Sequence, residues 1–129
     1  MRYVSCTQAA ICALAIGLPA FTPIQAAESN QVAFNNRCRT CHSVKADDNR
    51  LGPSLNNIVG RKAGALSEYA AYSQAMKSSG IVWDEATLNK FIENPDAVVP
   101  GNNMKPYPGI TDESERKQIL EYLASLSKQ

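Results

Sequence analysis

The densest group of reactive side chains is Cys38-Arg39-Thr40-Cys41-His42. Two thiols three residues apart share one turn of a helix, where each can add to one of the two vinyl groups of a haem. The next side chain, His42, then lies beneath the iron as the proximal ligand. It is the chain's one histidine, so any second protein ligand must be another residue type. Structural zinc would need further Cys or His ligands, and none remains outside the N-terminal segment. A thioredoxin-like dithiol would need a βαβ setting, which the flanking sequence lacks.

For the second axial position the candidates are methionines. Met1 is at the N-terminus, Met76 lies in a short helical stretch, and Met104 stands alone in a loop rich in Pro and Gly. A stiff loop can hold a weak thioether donor in place, whereas a helical Met among apolar neighbours reads as core packing. Met104 is therefore the preferred sixth ligand, with Met76 or an open, water-filled position as the alternatives. The metal ligands expected are His42 and Met104.

The chain has 129 residues, 44% of them hydrophobic, which is one domain's worth. Residues 1–26 read as a secretory signal peptide: Arg2, then an uncharged apolar run over 9–18, a break at Pro19, and a cleavage site at Ile24-Gln25-Ala26. The apolar run is too short for a permanent span, so no stable membrane insertion is expected after cleavage. Residues 27–129 form the single domain, exported to the periplasm. Loss of Cys6 and Cys12 with the leader leaves 2 of the 4 cysteines, both committed to the haem, and no disulfide. Loss of Arg2 leaves 12 Lys and Arg against 12 Asp and Glu, which is no footprint for nucleic acid. A domain this small has a modest core, so a buried haem is expected to supply much of the apolar surface on which it folds.

Around that site the pattern predicts an all-α chain. A helix is expected over residues 29–41, capped by Ser29, with Val32 and Phe34 opening its apolar face. Residues 45–50 form a polar loop, and Gly52 and Pro53 keep a helix from starting behind it. Residues 56–71 have little periodicity and read as a long loop wrapped around the cofactor. A short helix over 72–79 stops at Gly80, and Asp84 caps a helix over 85–93. Residues 95–109 read as an extended, stiff loop. Thr111 caps the last helix, whose stripe is Ile119, Leu120, Leu123 and Leu126, with Tyr122 beside it. No period-two alternation is long enough for a sheet. The expected architecture is three main helices, short helices and long loops around one covalently bound haem.

The motifs Gly52-Pro53-Ser54-Leu55, Gly60-Arg61-Lys62, Tyr72-Ser73-Gln74-Ala75-Met76-Lys77, Ser79-Gly80-Ile81-Val82-Trp83, Asn94-Pro95 and Pro100-Gly101-Asn102-Asn103-Met104 join Cys38–His42 in a pattern. It resembles a class I, mitochondrial-like bacterial soluble cytochrome c from about residue 30 to 126. The resemblance implies a small cytochrome c fold. It implies that the Pro53 carbonyl orients His42, and that Arg61, Tyr72 and Trp83 contact the haem propionates. Taken alone, Arg61 would read as a surface charge, and Tyr72 and Trp83 as core aromatics. Phe34 and Tyr122 match the crossing of the first and last helices. Departures from the family pattern are Phe91, where a tyrosine often bonds the methionine sulfur, Asn102 for a threonine near a propionate, Asn30 for a glycine at the helix crossing, and one extra residue in Lys105-Pro106-Tyr107-Pro108.

A haem with both axial positions filled by protein suits one-electron transfer. The expectation is a soluble, monomeric periplasmic carrier and not an enzyme, since no acid, base or nucleophile pattern is present. Its partners would be transient: a quinol-cytochrome c reductase type donor, and a terminal oxidase, reductase or reaction-centre type acceptor. They would meet an exposed haem edge near Arg37, Arg39 and Lys105. The alternatives are an accessory electron acceptor subunit of one periplasmic dehydrogenase, or a gas-binding or peroxidase-like haem protein if Met104 is displaced.

Overall fold

A computed structural model describes residues 23–127. The signal segment expected over 1–26 thus lies, except for its last four residues, outside the described residues. Among the described residues five helices follow in order: α1 (Pro23–Arg37), α2 (Gln74–Ser78), α3 (Glu85–Glu93), α4 (Pro95–Val98) and α5 (Glu113–Leu126). Among the described residues β-pairing is limited to one isolated antiparallel bridge, Lys62 with Val82. The class is all-α, with α1, α3 and α5 as the main helices. No helix among the described residues is long and apolar enough to cross a membrane.

Besides α2, which starts at Gln74 behind a Ser73 cap rather than at residue 72, the helix ends differ from expectation in four places. Ser29 is not an N-cap: α1 already runs from Pro23, and the Ser29 hydroxyl donates back to the Ala26 carbonyl at 2.9 Å, a bond open to serine within a helix. At the other end α1 stops at Arg37 and residues 38–42 follow as a looser turn. There both Cys41 and His42 donate to the Cys38 carbonyl, at 3.1 and 2.9 Å. Residues 95–98, expected as extended loop, form a helical turn. Pro95 fits its first position because that residue needs no N–H partner, and the Asn94 side chain accepts from Ala97. Asp112 rather than Thr111 caps α5, its carboxylate accepting the Glu115 N–H at 2.8 Å.

α5 packs on both α1 and α3. At the first crossing Phe34, 2% exposed, meets Tyr122 with ring centroids 5.1 Å apart. Asn30 reaches across the rim of this crossing to Glu121 at 2.9 Å. Val32, by contrast, faces solvent, leaving Ala33 and Phe34 as the buried residues of α1. Ile119 and Leu123 are the deepest apolar residues of α5. The second contact carries a buried arginine: Arg116 Nε donates to Asn89 Oδ1 at 2.7 Å, and its Nη1 to the Ile110 and Thr111 carbonyls at 2.8 and 3.0 Å. A buried guanidinium is tolerable only when its donors are satisfied in this way. The result ties α5 to α3 and to the loop that enters α5.

Candidate functional site

The helices and loops enclose a cavity of about 570 Å³, within the roughly 300–1,000 Å³ usual for cofactor pockets. Cys38, Cys41 and His42 line one part of it. Neither cysteine is in a disulfide. Burial pushes the Cys38 thiol up to about 12, the reverse of the lowered value that marks a redox-active dithiol. His42 is buried, and its Nδ1 donates to the Pro53 carbonyl at 2.8 Å. That bond leaves the Nε2 lone pair free for a metal. Burial lowers the pKa of His42, which keeps the imidazole neutral.

Gly52 is what lets the ring lie there. A Cβ on it would stand 2.2 Å from His42 Cε1. The glycine cannot back away, because its N–H donates to the Cys41 carbonyl at 2.7 Å and its carbonyl accepts from Arg50 at 2.9 Å. Next to it, the Tyr69 hydroxyl donates to the Leu51 carbonyl at 2.6 Å. Sequence reasoning missed Tyr69, since a tyrosine inside an aperiodic loop signals nothing until the chain folds back.

Residues 103–110 form a continuous part of the wall, with Met104 half-buried among them. Its backbone is held by Asn102: the Asn102 Oδ1 accepts the Met104 N–H at 2.9 Å, while Nδ2 donates to the Val99 carbonyl and to Asp96, each at 2.9 Å. Asn102, the residue that departs from the family's threonine, is thus engaged in shaping the loop. Asn103 donates to the Ala71 carbonyl at 3.0 Å, and Lys105 pairs with Asp96. Met76 also borders the cavity but belongs to the buried core of α2.

Arg61, Tyr72 and Trp83 all line the same cavity. The antiparallel contact between residues 60–63 and 81–83 sets Arg61 beside Trp83, with the Trp83 N–H donating to the Arg61 carbonyl at 2.9 Å. The Arg61 guanidinium donates to the Ser54 and Asn56 carbonyls at 2.7 and 3.1 Å. Burial lowers its pKa, and among the described residues no carboxylate pairs with it. Burial also raises the pKa of the Tyr72 phenol. Phe91 packs on Trp83 with ring centroids 5.0 Å apart, an apolar contact with no hydroxyl to offer.

The site residues named from the sequence therefore converge on one cavity, and the donor set fits a haem. Two thiols, a neutral imidazole, a thioether, apolar walls and a guanidinium without a carboxylate match an iron porphyrin that carries two acid groups. Of the cations expected at the rim, Arg37 is held bidentately by Glu115 at 2.7 and 2.9 Å and Lys105 is paired, while Arg39 is exposed.

The family model described as Cytochrome c matches residues 26–127. The chain is 43% identical over 89 residues to cytochrome c2 iso-2 of Magnetospirillum molischianum, covering 69% of this chain and 90% of that protein. It is 38% identical over 103 residues to cytochrome c-550 of Bradyrhizobium diazoefficiens, covering 79% of this chain and 74% of that protein. Among solved structures, cytochrome cH from Methylobacterium extorquens matches with a TM-score of 0.68 and 37% identity, over 77% of this chain and 97% of that one.

Proposed function

The chain belongs to the cytochrome c family, holding one haem c through Cys38 and Cys41 and carrying electrons rather than catalysing a reaction, and on that premise we propose a soluble periplasmic one-electron shuttle with His42 and Met104 as its axial ligands. The observation that carries this reading is that a neutral imidazole with a free Nε2 and a loop-borne thioether open on the same cavity. Both axial positions would then be filled by protein, with no vacancy for a substrate.

The haem supplies the Fe(III)/Fe(II) couple, and the chain's residues supply its setting. Pro53 fixes the imidazole by accepting the Nδ1 proton. Asn102 holds the backbone of Met104 by accepting its N–H, which would help keep the thioether aimed at the iron. Arg61, Tyr72 and Trp83 would compensate the propionate charge with a guanidinium, a phenol and an indole N–H. Residues 1–26 would serve as the signal peptide and 27–129 as the cytochrome domain, a division supported by a family match that begins at residue 26. With Arg37 and Lys105 paired internally, partners of the quinol-cytochrome c reductase, terminal oxidase, reductase or reaction-centre type would dock with modest charge steering, onto an edge that includes the exposed Leu51.

A potentiometric titration tests this. Protein purified from the periplasmic fraction should titrate as one centre with a one-electron Nernst slope, reversibly in both directions. A multi-electron wave, or recovery solely in membranes, would overturn the reading.

A further inference from the structure

The far end of the Met104 loop is docked on the last residues of α3. Ile92 and Glu93 close that helix, where carbonyls lack partners within the helix and accept from elsewhere. The Tyr107 hydroxyl donates to the Ile92 carbonyl at 2.7 Å, and the Ile110 N–H donates to the same oxygen at 3.0 Å. Between them Gly109 lies flat on the helix end: its φ is +90°, and a Cβ there would stand 2.1 Å from the Glu93 carbonyl oxygen. Beyond Ile110 the loop is pinned by Arg116. On the near side Asn102 pins the Met104 backbone. Met104 thus sits in a span fixed at both ends, and Tyr107 is its side-chain anchor to α3. Burial raises the pKa of the phenol, so the hydroxyl stays a donor through neutral and alkaline pH.

We propose that Tyr107 is a positioning residue for Met104: its hydroxyl latches the loop onto the end of α3 and thereby sets how often the thioether leaves the iron. This rests on Met104 being the sixth ligand. Removing the hydroxyl keeps the ring that lines the cavity but frees the stretch between Lys105, paired with Asp96, and Gly109 from its side-chain tie to α3. The loop should then open more often, exposing the iron for a larger fraction of the time.

The test uses the haem-loaded protein in its reduced form, with carbon monoxide as the probe and Tyr107→Phe, Tyr122→Phe and Met104→Ala compared with wild type. Tyr107→Phe should take up carbon monoxide about fivefold faster than wild type or more, the change expected from losing one hydrogen bond. Hydrogen exchange at the Ile110 amide should accelerate with it. Tyr122→Phe, altered at the α1/α5 crossing, should match wild type on both counts. If Tyr107→Phe keeps the wild-type rate while Met104→Ala is fast, the latch is wrong and the ligand assignment stands. If wild type is already as fast as Met104→Ala, the ligand assignment fails and the latch with it. Should Tyr107→Phe not fold, wild type alone decides. Carbon monoxide uptake and Ile110 exchange should then rise together at low denaturant, well before global unfolding. Exchange at Ile110 by global unfolding alone would contradict the latch.

Discussion

Replacing Gly52 by alanine should disorder the proximal side of the haem and leave little correctly ligated protein. The effect is one of space, since Gly52 is not in the left-handed region of φ. The new methyl would stand 2.2 Å from His42 Cε1, 2.7 Å from Nδ1 and 2.8 Å from Nε2, so the ring or the backbone must move. The backbone is bonded on both sides, to Cys41 and Arg50, and Leu51 is tethered by Tyr69. The ring would therefore yield, breaking its bond to Pro53 and tilting Nε2 away from the iron. Overpacking costs about 1–3 kcal/mol, and a clash this short belongs at the upper end. With a domain of this size losing roughly 4–8 °C per kcal/mol, the midpoint of thermal unfolding should fall by roughly 10–20 °C. The absorption spectrum should lose its low-spin character. A Gly52→Ala holoprotein with wild-type spectrum and midpoint would show that the ring has room to spare.

Met104→Ala should leave the fold intact and change the iron. Met104 is half-buried on a loop whose path is set by Asn102, Tyr107 and Arg116, none of which uses its side chain. Truncation therefore removes the proposed ligand and little packing. A thioether raises the potential of a histidine-ligated haem. Its loss should lower the midpoint potential on the order of 0.1–0.3 V, within the roughly 0.8 V that axial ligands command. The reduced variant should bind carbon monoxide within seconds. Met76→Ala is the matching control: Met76 is core, 9% exposed, so that change should cost stability without moving the potential. A potential that follows Met76 instead would reassign the sixth ligand.

What was legible in the sequence was local chemistry. Cysteine spacing, the lone histidine and the Gly52-Pro53 pair are fixed by covalent and steric rules that act over a few residues. The cap at Asp84 is likewise written beside the helix it starts. The capping at Asn94, which seats Pro95 at the first turn of α4, follows the same rule and was overridden by the density of Pro and Gly after it. The supports of the site were not legible, because each depends on a partner distant in sequence: Tyr69 on Leu51, Tyr107 on Ile92, Arg116 on Asn89. Asn102 stands in the resemblance only as a departure from threonine, and its bonds to Val99, Asp96 and Met104, which shape the loop, come into view only in the fold. Arg61 is the converse case. Its motif sets its place, but only the fold shows that its partners are the Ser54 and Asn56 carbonyls and that, among the described residues, no carboxylate pairs with it.

The most direct measurement is the optical response of the reduced, haem-loaded wild-type protein to carbon monoxide at neutral pH. With His42 and Met104 on the two axial positions, the spectrum should be low-spin and stay unchanged over minutes after the gas is added. Immediate formation of a carbon monoxide adduct would mean that the iron has an accessible site, and it would contradict the assignment of this chain as a carrier with both axial positions filled.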